Sequence, residues 1–259
     1  MNMIVCVKQV LDPETPAASF KIDPDAKRAV ASKDVEMVIN PFCENAVEAA
    51  LKVKDASGGT VKILSMGGES AKEVIKHSLA MGGDEGYQLT DPAFVDSDPY
   101  ATAATLAEAI KKIGEYDMVF CGRQEGDWDA GQVGSGIAEI LGIPSVTAVQ
   151  NVEAADGKAK VERVLPDGYE TIEVPLPALF TVSNEIGEPR YATLKGIMAA
   201  AKKQVTNWTS ADVTPAQARS QMLKLYVPVH EGKCEFIEGE TPDEAGANLA
   251  AKLREVKLI

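Results

Sequence analysis

Apolar runs of strand length alternate with longer segments of helical character throughout the first half of the chain. The runs lie at residues 3–8, 61–66, 87–90 and 117–122. Their length is that of buried strands, and the segments between them are long enough for helices. Strands that alternate with helices are joined by right-handed crossovers and run parallel. The alternation therefore predicts an α/β fold around a mostly parallel sheet, which binds ligands beyond the carboxyl ends of its strands.

Four predicted helix starts carry capping signals. Asn40–Pro41 and Asp98–Pro99 each place a capping side chain before a first-turn proline. Residues 214–217 (TPAQ) and 241–244 (TPDE) both fit capping boxes. The last two starts belong to residues 208–259, a series of short pieces that can hardly form a core of their own. We therefore expect this segment to be a C-terminal arm that packs on another domain or subunit.

The segment at residues 145–183 has a different, alternating pattern. Asp156–Gly157 and Asp167–Gly168 are hairpin signals within it, because such pairs adopt the positive φ angles of tight turns. The pattern predicts two or three antiparallel strands attached to the parallel sheet. Residues 1–207 would then form one α/β domain that includes this hairpin extension.

Composition argues against several classes of function. The formal net charge of −13 at pH 7 disfavours a nucleic-acid or acidic-membrane partner. No run approaches the roughly 20 apolar residues of a membrane span, so we expect no membrane insertion. The four cysteines are far apart and there are only two histidines, so neither a disulfide framework nor a metal site is expected. The short apolar start lacks the basic residues of a signal peptide, which favours a cytoplasmic location.

A glycine-rich run, GRQEGDWDAGQVGSGIAEILG at residues 122–142, follows a predicted strand and opens a predicted helix. Backbone N–H groups converge on phosphate at such a junction. The carboxylates of Asp127 and Asp129 would repel a phosphate, so a phosphate would bind to main-chain amides and to Arg123. Asp129 and Gln132 also fit a capping box that would fix the helix start. The run alone leaves nucleotide binding and an ordinary strand–helix turn equally open.

No catalytic constellation accompanies this run. It matches neither GxGxxG nor a Walker sequence. Ser135 lacks the flanking pattern of a nucleophile elbow, and no paired carboxylates stand out as an acid/base couple. Trp128 either covers a ligand or packs the loop. The sequence offers binding loops rather than catalytic residues.

The stretch at residues 184–203 gathers cations around large apolar side chains. Two interpretations are open. The stretch is an amphipathic helix with an ordinary solvated face, or it is a docking element whose apolar residues anchor a partner.

Four stretches, taken together, resemble the β subunit of electron transfer flavoproteins, and the similarity spans residues 3–203. They are VCVKQVLD (5–12), INPFCENAVEAALKVKD (39–55), the GRQ…GQVG run (122–134) and EPRYATLKGIM (188–198), with LAMGGDEG (79–86) as a weaker fifth match.

The resemblance implies a Rossmann-like nucleotide-binding sheet of the adenine nucleotide alpha hydrolase-like type. It implies a heterodimer whose α subunit holds most of the FAD, while the β subunit buries a structural AMP and embraces its partner with the C-terminal arm. Such a complex carries electrons from acyl-CoA dehydrogenases of fatty-acid β-oxidation to a quinone oxidoreductase. The subunit would be an electron carrier without a catalytic acid or base of its own, because the flavin does the redox chemistry.

The resemblance also assigns residues. Phe42 would approach the flavin edge, and residues 184–203 would form a recognition loop with Leu194 as the anchor in a pocket of the client dehydrogenase. The recognition contacts would come from Arg190, Tyr191, Leu194, Lys195, Ile197 and Met198. The AMP contacts would come from Cys6, Asn40, Pro41, Phe42, Cys43, Met66, Gly122, Arg123, Gln124, Glu125, Gly126, Asp127, Trp128, Asp129, Ala130, Gly131, Gln132 and Val133.

One departure supports an alternative within the same family. Val133 stands where AMP-binding members often carry a threonine, and it resembles the flavin-bifurcating members, in which a second FAD replaces AMP and NADH is oxidised. A more distant alternative is a stand-alone AMP- or ATP-sensing protein of the stress-protein type. The expected arm at residues 208–259 argues against that alternative.

Overall fold

The computed structural model describes residues 1–16, 19–30, 35–228, 232 and 234–259. Its strands are β1 Asn2–Cys6, β2 Gln9–Leu11, β3 Lys21–Asp23, β4 Arg28–Val30, β5 Met37–Ile39, β6 Thr60–Met66, β7 Glu85–Leu89, β8 Met118–Gly122, β9 Ser145–Ala155, β10 Lys158–Leu165, β11 Gly168–Pro175, β12 Ala178–Val182 and β13 Val205–Trp208. Its α-helices are α1 Pro41–Ser57, α2 Lys72–Met81, α3 Pro99–Ile113, α4 Val133–Leu141, α5 Leu194–Lys202 and α6 Pro242–Glu255.

Nine of these strands form one sheet, in the order β11-β10-β9-β12-β8-β1-β6-β7-β13. Along that order, every neighbouring pair in the part β9-β12-β8-β1-β6-β7-β13 is parallel. Strand β10 is antiparallel to both β9 and β11. The chain runs from β1 outwards to β6 and β7, then returns to β8 on the other side of β1. The sheet therefore has a topological switch point between β1 and β8, which is where such sheets bind ligands. The expected α/β fold is confirmed.

Helices cover both faces of the sheet. Successive residues of β1 alternate between two apolar clusters, with Met3 and Val5 in one and Ile4 and Cys6 in the other. Helices α1, α2 and α5 contribute to the first cluster, and α3 and α4 contribute to the second. This alternation is the period of two that a strand imposes when both of its faces are buried.

Residues 145–183 form three antiparallel strands, β9 to β11, followed by one strand of the parallel sheet. Asp156 and Gly157 have φ angles of 52° and 74° in the β9–β10 turn, which fits the hairpin signal. The β10–β11 turn consists of Pro166 and Asp167, because Leu165 already pairs with Gly168. β12 lies parallel to both β8 and β9, and all five of its residues are buried, as in a strand that is covered on both faces.

Of the two helix starts predicted in the C-terminal segment, the structure contains one. Thr241 caps α6, because its hydroxyl accepts the N–H of Glu244 at 3.2 Å. The helix expected at residues 214–217 is absent from this described stretch. The N–H of Ala216 instead donates to the hydroxyl of Thr105 in α3, at 3.1 Å, so this tertiary bond replaces a helical one.

The chain divides into two compact units, Met1–Lys224 and Leu225–Ile259. Residues 229–231 and 233 of the expected arm lie outside the described residues. Among the helices that are described, none has the length and apolar character needed to cross a membrane.

Substitution of Phe180 tests the packing at the centre of the sheet. Its ring lies 5.6 Å from that of Phe120, between centroids, and neither side chain is exposed. We expect Phe180→Ala to lower the free energy of unfolding by about 3–5 kcal/mol, because the cavity cannot be refilled. The matched control Tyr169→Ala, on the hairpin where the ring is 58% exposed, should change it by less than about 0.5 kcal/mol. Equal effects in urea titrations would contradict this packing.

Candidate functional site

A cavity of about 780 Å³ opens at the switch point, beyond the carboxyl ends of β1 and β8. It contains most of the residues that the resemblance assigned to nucleotide binding. These are Cys6, Asn40, Cys43, Met66, Gly122, Gln124, Glu125, Trp128, Ala130, Gly131 and Val133. The remaining assigned residues surround the cavity without lining it. They are Pro41, Phe42, Arg123, Gly126, Asp127, Asp129 and Gln132.

Three buried thiols lie at the base of the cavity. Cys6 and Cys121 are register partners on β1 and β8, and Cys43 belongs to the first turn of α1. The hydrogen bond with Cys6, followed by burial, raises the pKa of the Cys121 thiol, and burial raises the pKa of the Cys43 thiol. Neutral thiols make this surface suitable for an uncharged aromatic ring. Cys121 was not assigned from the sequence, although its place at the end of a predicted strand was available as a signal.

Asn40 ties the start of α1 to the glycine loop, residues 122–132. Its Oδ1 accepts the N–H of Gly126 at 3.0 Å, and its Nδ2 donates to the carbonyl of Gln124 at 2.9 Å and to the thiol of Cys43 at 3.1 Å. Asn40 occupies the N-cap position as expected, but its side chain makes no capping bond. The side chain is only 1% exposed, so its amide holds the loop in place instead.

Close approach explains the glycine at the start of this loop. A Cβ at Gly122 would lie 2.7 Å from the backbone carbonyl carbon of Phe42. No side chain fits between the end of β8 and the start of α1 at that distance. The backbone of the loop is thereby kept next to the first turn of α1.

The acidic residues of the loop have partners of their own. Asp127 pairs with Lys8 at 2.7 Å, and Glu125 accepts the N–H of Gly131 at 3.1 Å. Asp129 has a φ angle of 52° and accepts from the side chain of Gln124 at 2.8 Å. The capping box expected from Asp129 and Gln132 is therefore wrong, since α4 begins after Gln132 without a side-chain cap.

Arg123 belongs to a patch beside the cavity. Its guanidinium donates to the hydroxyl of Ser183 at 3.0 Å and lies 4.8 Å from the centre of the Phe42 ring. The cations that do line the cavity are Lys8, Lys27 and Arg28, and none of them was predicted from the sequence. Lys8 directly follows the first predicted strand, a position that signals a ligand-facing residue, whereas Lys27 and Arg28 come from a hairpin far from any motif.

The recognition loop, residues 184–203, presents an apolar surface that shares no residue with the lining of the cavity. Tyr191 is 91% exposed and Leu194 is 74% exposed, while Ile197 and Met198 are more than half exposed. Helix α5 starts at Leu194 because the Thr193 hydroxyl accepts the N–H of Gly196 at 3.1 Å. Exposed apolar side chains on a short fixed helix are typical of a docking surface.

Arg190 has an internal role in this loop. Its guanidinium binds the buried carboxylate of Glu48 through two nitrogens, at 2.8 and 3.1 Å, and binds Asp55 at 2.8 Å. The bond to Glu48 is the main reason why the pKa of Arg190 is raised. A forked, charge-assisted contact of this kind fixes geometry, so Arg190 holds the recognition loop on α1.

The model of the electron transfer flavoprotein domain matches residues 28–213, well over half of the chain. The chain belongs to the electron transfer flavoprotein family. The matched span includes α1, the glycine loop and the recognition loop. Three of the four stretches that carried the resemblance, and the weaker fifth, therefore lie within it, whereas residues 5–12 precede it.

Several relatives within this flavoprotein family are similar over most or all of their length. The electron transfer flavoprotein subunit beta of Clostridium acetobutylicum is 41% identical, with both chains covered completely. That of Thermoanaerobacterium thermosaccharolyticum is 46% identical over 82% of this chain and 79% of its own. The caffeyl-CoA reductase-Etf complex subunit CarD of Acetobacterium woodii is 41% identical over the whole of both chains. The expected membership among β subunits is confirmed, which disfavours a stand-alone stress-type sensor.

Asn40 is the residue on which the glycine loop depends most. We expect Asn40→Ala to lower the free energy of unfolding by about 1–3 kcal/mol, because it leaves the partly buried N–H of Gly126 and carbonyl of Gln124 unpaired. The matched control is Asn207→Ala on β13, where the side chain is exposed; it should cost less than about 0.5 kcal/mol. Similar midpoints for both variants in denaturant titrations would contradict the role given to Asn40.

Proposed function

We propose that this chain is the β subunit of a heterodimeric electron transfer flavoprotein and binds AMP in the switch-point cavity. The observation that carries the proposal is the cavity itself, with neutral thiols at its base and the glycine loop on one side. The thiols and Met66 suit an adenine ring. Backbone amides of the loop, together with Lys8, Lys27 and Arg28, suit a phosphate.

The redox cofactor in this proposal is FAD, held mainly by the α subunit, and it supplies the electron transfer when bound. The contribution of this chain would be a surface beside it, formed by Phe42 and Arg123. The guanidinium over the ring would favour negative charge on a group that docks there. No side chain of this chain is required to act as an acid or a base.

The recognition loop would dock the client flavoenzyme, which we propose to be an acyl-CoA dehydrogenase, with a quinone oxidoreductase as the later acceptor. Leu194 and Tyr191 would supply the apolar anchor, and Lys195 and Lys202 would steer acidic partners. Of the expected arm, the part that forms the second unit, Leu225–Ile259, would pack on the α subunit. The four cysteines are free, which fits a reducing compartment, and we propose the cytoplasm.

A bifurcating β subunit with a second FAD and NADH oxidation is the second candidate. Val133 lines the cavity and offers no hydroxyl to an AMP phosphate. A volume of about 780 Å³ is in the upper part of the range for small-molecule sites. Two relatives are also named as parts of reductases, CarD and the acryloyl-CoA reductase electron transfer subunit gamma of Anaerotignum propionicum.

The released nucleotides decide between the two candidates. The chain would be co-expressed with its α partner, and the purified complex would be denatured and its nucleotides identified by chromatography and mass. One FAD and one AMP per heterodimer would support the first candidate. Two FAD and no AMP would support the second, and a complex without nucleotide in this subunit would contradict both.

Leu194 tests the docking surface. We expect Leu194→Ala to lower kcat/KM for electron transfer from the client flavoenzyme by at least about tenfold, because central apolar anchors dominate interface energy. Leu165→Ala, at a partly exposed leucine of the hairpin, is the matched control and should leave it unchanged. Unchanged kinetics in Leu194→Ala would show that client docking does not depend on this side chain.

A further inference from the structure

One wall of the cavity comes from a stretch without regular secondary structure, the strap, residues 219–222. Ser220, Gln221 and Met222 line the cavity together with residues of the glycine loop. The strap is the last part of the Met1–Lys224 unit, almost a hundred residues after the loop. A wall of this kind keeps its shape only where side chains of the α/β body hold it.

Asp98 holds the strap. One carboxylate oxygen accepts the N–H of Ala101 at 2.8 Å and so caps α3. The other oxygen accepts the N–H groups of Arg219 and Ser220, both at 2.8 Å, and the hydroxyl of Ser220 at 3.0 Å. These bonds, that of Ala101 first, lower the pKa of Asp98 to about 2, so the group is a carboxylate at neutral pH.

Two further contacts fasten the strap. The guanidinium of Arg219 lies 3.5 Å from the centre of the Tyr100 ring, which is a cation–π contact. The ammonium of Lys27, which also lines the cavity, donates to the carbonyl of Met222 at 3.0 Å. The strap is therefore connected to the start of α3 at one end and to a cavity cation at the other.

We propose that Asp98 is a positioning residue of the nucleotide site, and that the strap and a bound adenine nucleotide stabilise one another. The inference rests on the proposed function, since it requires a nucleotide in this cavity. The linkage is reciprocal by thermodynamic necessity. A nucleotide that contacts the strap lowers the equilibrium population of its open state, and release of the strap weakens nucleotide binding by the same factor.

Asp98→Asn separates the two tasks of this side chain. The amide oxygen can still accept the N–H of Ala101 and cap α3. The amide NH₂ then faces the N–H groups of Arg219 and Ser220. Because an NH₂ group only donates, it cannot accept hydrogen bonds from them. The charge change acts in the opposite direction, because removing a negative charge from the cavity favours an anionic nucleotide. Because Asp98 itself also lines the cavity, weaker binding reports the strap when hydrogen exchange at residues 219 and 220 changes with it, whereas tighter binding reports electrostatics alone.

Asp91 provides a matched control. One of its oxygens accepts the N–H of Ala93 at 2.9 Å, and the other accepts the N–H and the hydroxyl of Ser210 at 3.1 and 2.9 Å. Asp91 thus caps a short helix and holds a later segment, as Asp98 does. Neither Asp91 nor Ser210 is among the residues that line the cavity, so Asp91→Asn should leave nucleotide binding unchanged.

The experiment titrates the full chain with AMP, and separately with FAD, in a calorimeter. For whichever nucleotide the wild type binds, we expect Asp98→Asn to weaken affinity about tenfold, from the loss of the strap bonds, and Asp91→Asn to have no effect. Hydrogen exchange adds a readout that general destabilisation would not produce. The nucleotide should slow exchange at the amides of Arg219 and Ser220 in the wild type, and should not do so in Asp98→Asn.

Three results would overturn the inference. If Asp98→Asn binds the nucleotide as tightly as the wild type or more tightly, or if exchange at residues 219–220 ignores the nucleotide, the strap has no part in the site. If the wild type binds neither nucleotide, the proposed function fails and the inference fails with it. Nucleotide binding by the wild type thus distinguishes a failure of this inference alone from a failure of the proposed function.

Discussion

The reversal of strand order at the switch point between β1 and β8 is the constraint on which the rest of the structure depends. Crossovers leave β1 towards β6 and return to β8 on its other side, so α1 and α3 lie on opposite faces of the sheet and a crevice forms beyond the carboxyl ends of these two strands. The crevice that results brings Cys6 and Cys121 side by side. It also forces the glycine loop against the first turn of α1, at the close approach of Gly122 to Phe42.

Helix α1 connects the two surfaces that the proposed function requires. Its N-terminal end serves the cavity through Asn40 and Cys43, and further along it the buried carboxylate of Glu48 holds Arg190 of the recognition loop. A single rigid helix can thus maintain both a nucleotide site and a docking surface. Since neither surface shares lining residues with the other, substitutions in one should leave the other largely intact.

Local signals predicted much of this architecture, and long-range contacts account for what they missed. The caps at Asp98 and Thr241 and the turn at Asp156–Gly157 depend on neighbouring residues and were predictable. The contact between Asp98 and the strap was not predictable, because its partners in the strap lie more than a hundred residues away in the sequence. The same reason applies to Lys27. Within the glycine loop, Asp129 binds Gln124 and does not cap α4. The spacing of residues in the sequence does not distinguish these two contacts.

The position of the nucleotide is the central claim, and Trp128 reports on it most directly. The chain has two tryptophans; Trp128 lines the cavity, while Trp208 packs against Tyr87 on the sheet. Trp208→Phe leaves Trp128 as the only tryptophan. Its fluorescence, excited selectively over that of tyrosine, can be followed during titration with AMP or FAD beside calorimetry. We expect a saturable change in emission with the same midpoint as the heat of binding. Heat of binding without any change in Trp128 emission would place the nucleotide elsewhere and contradict the account.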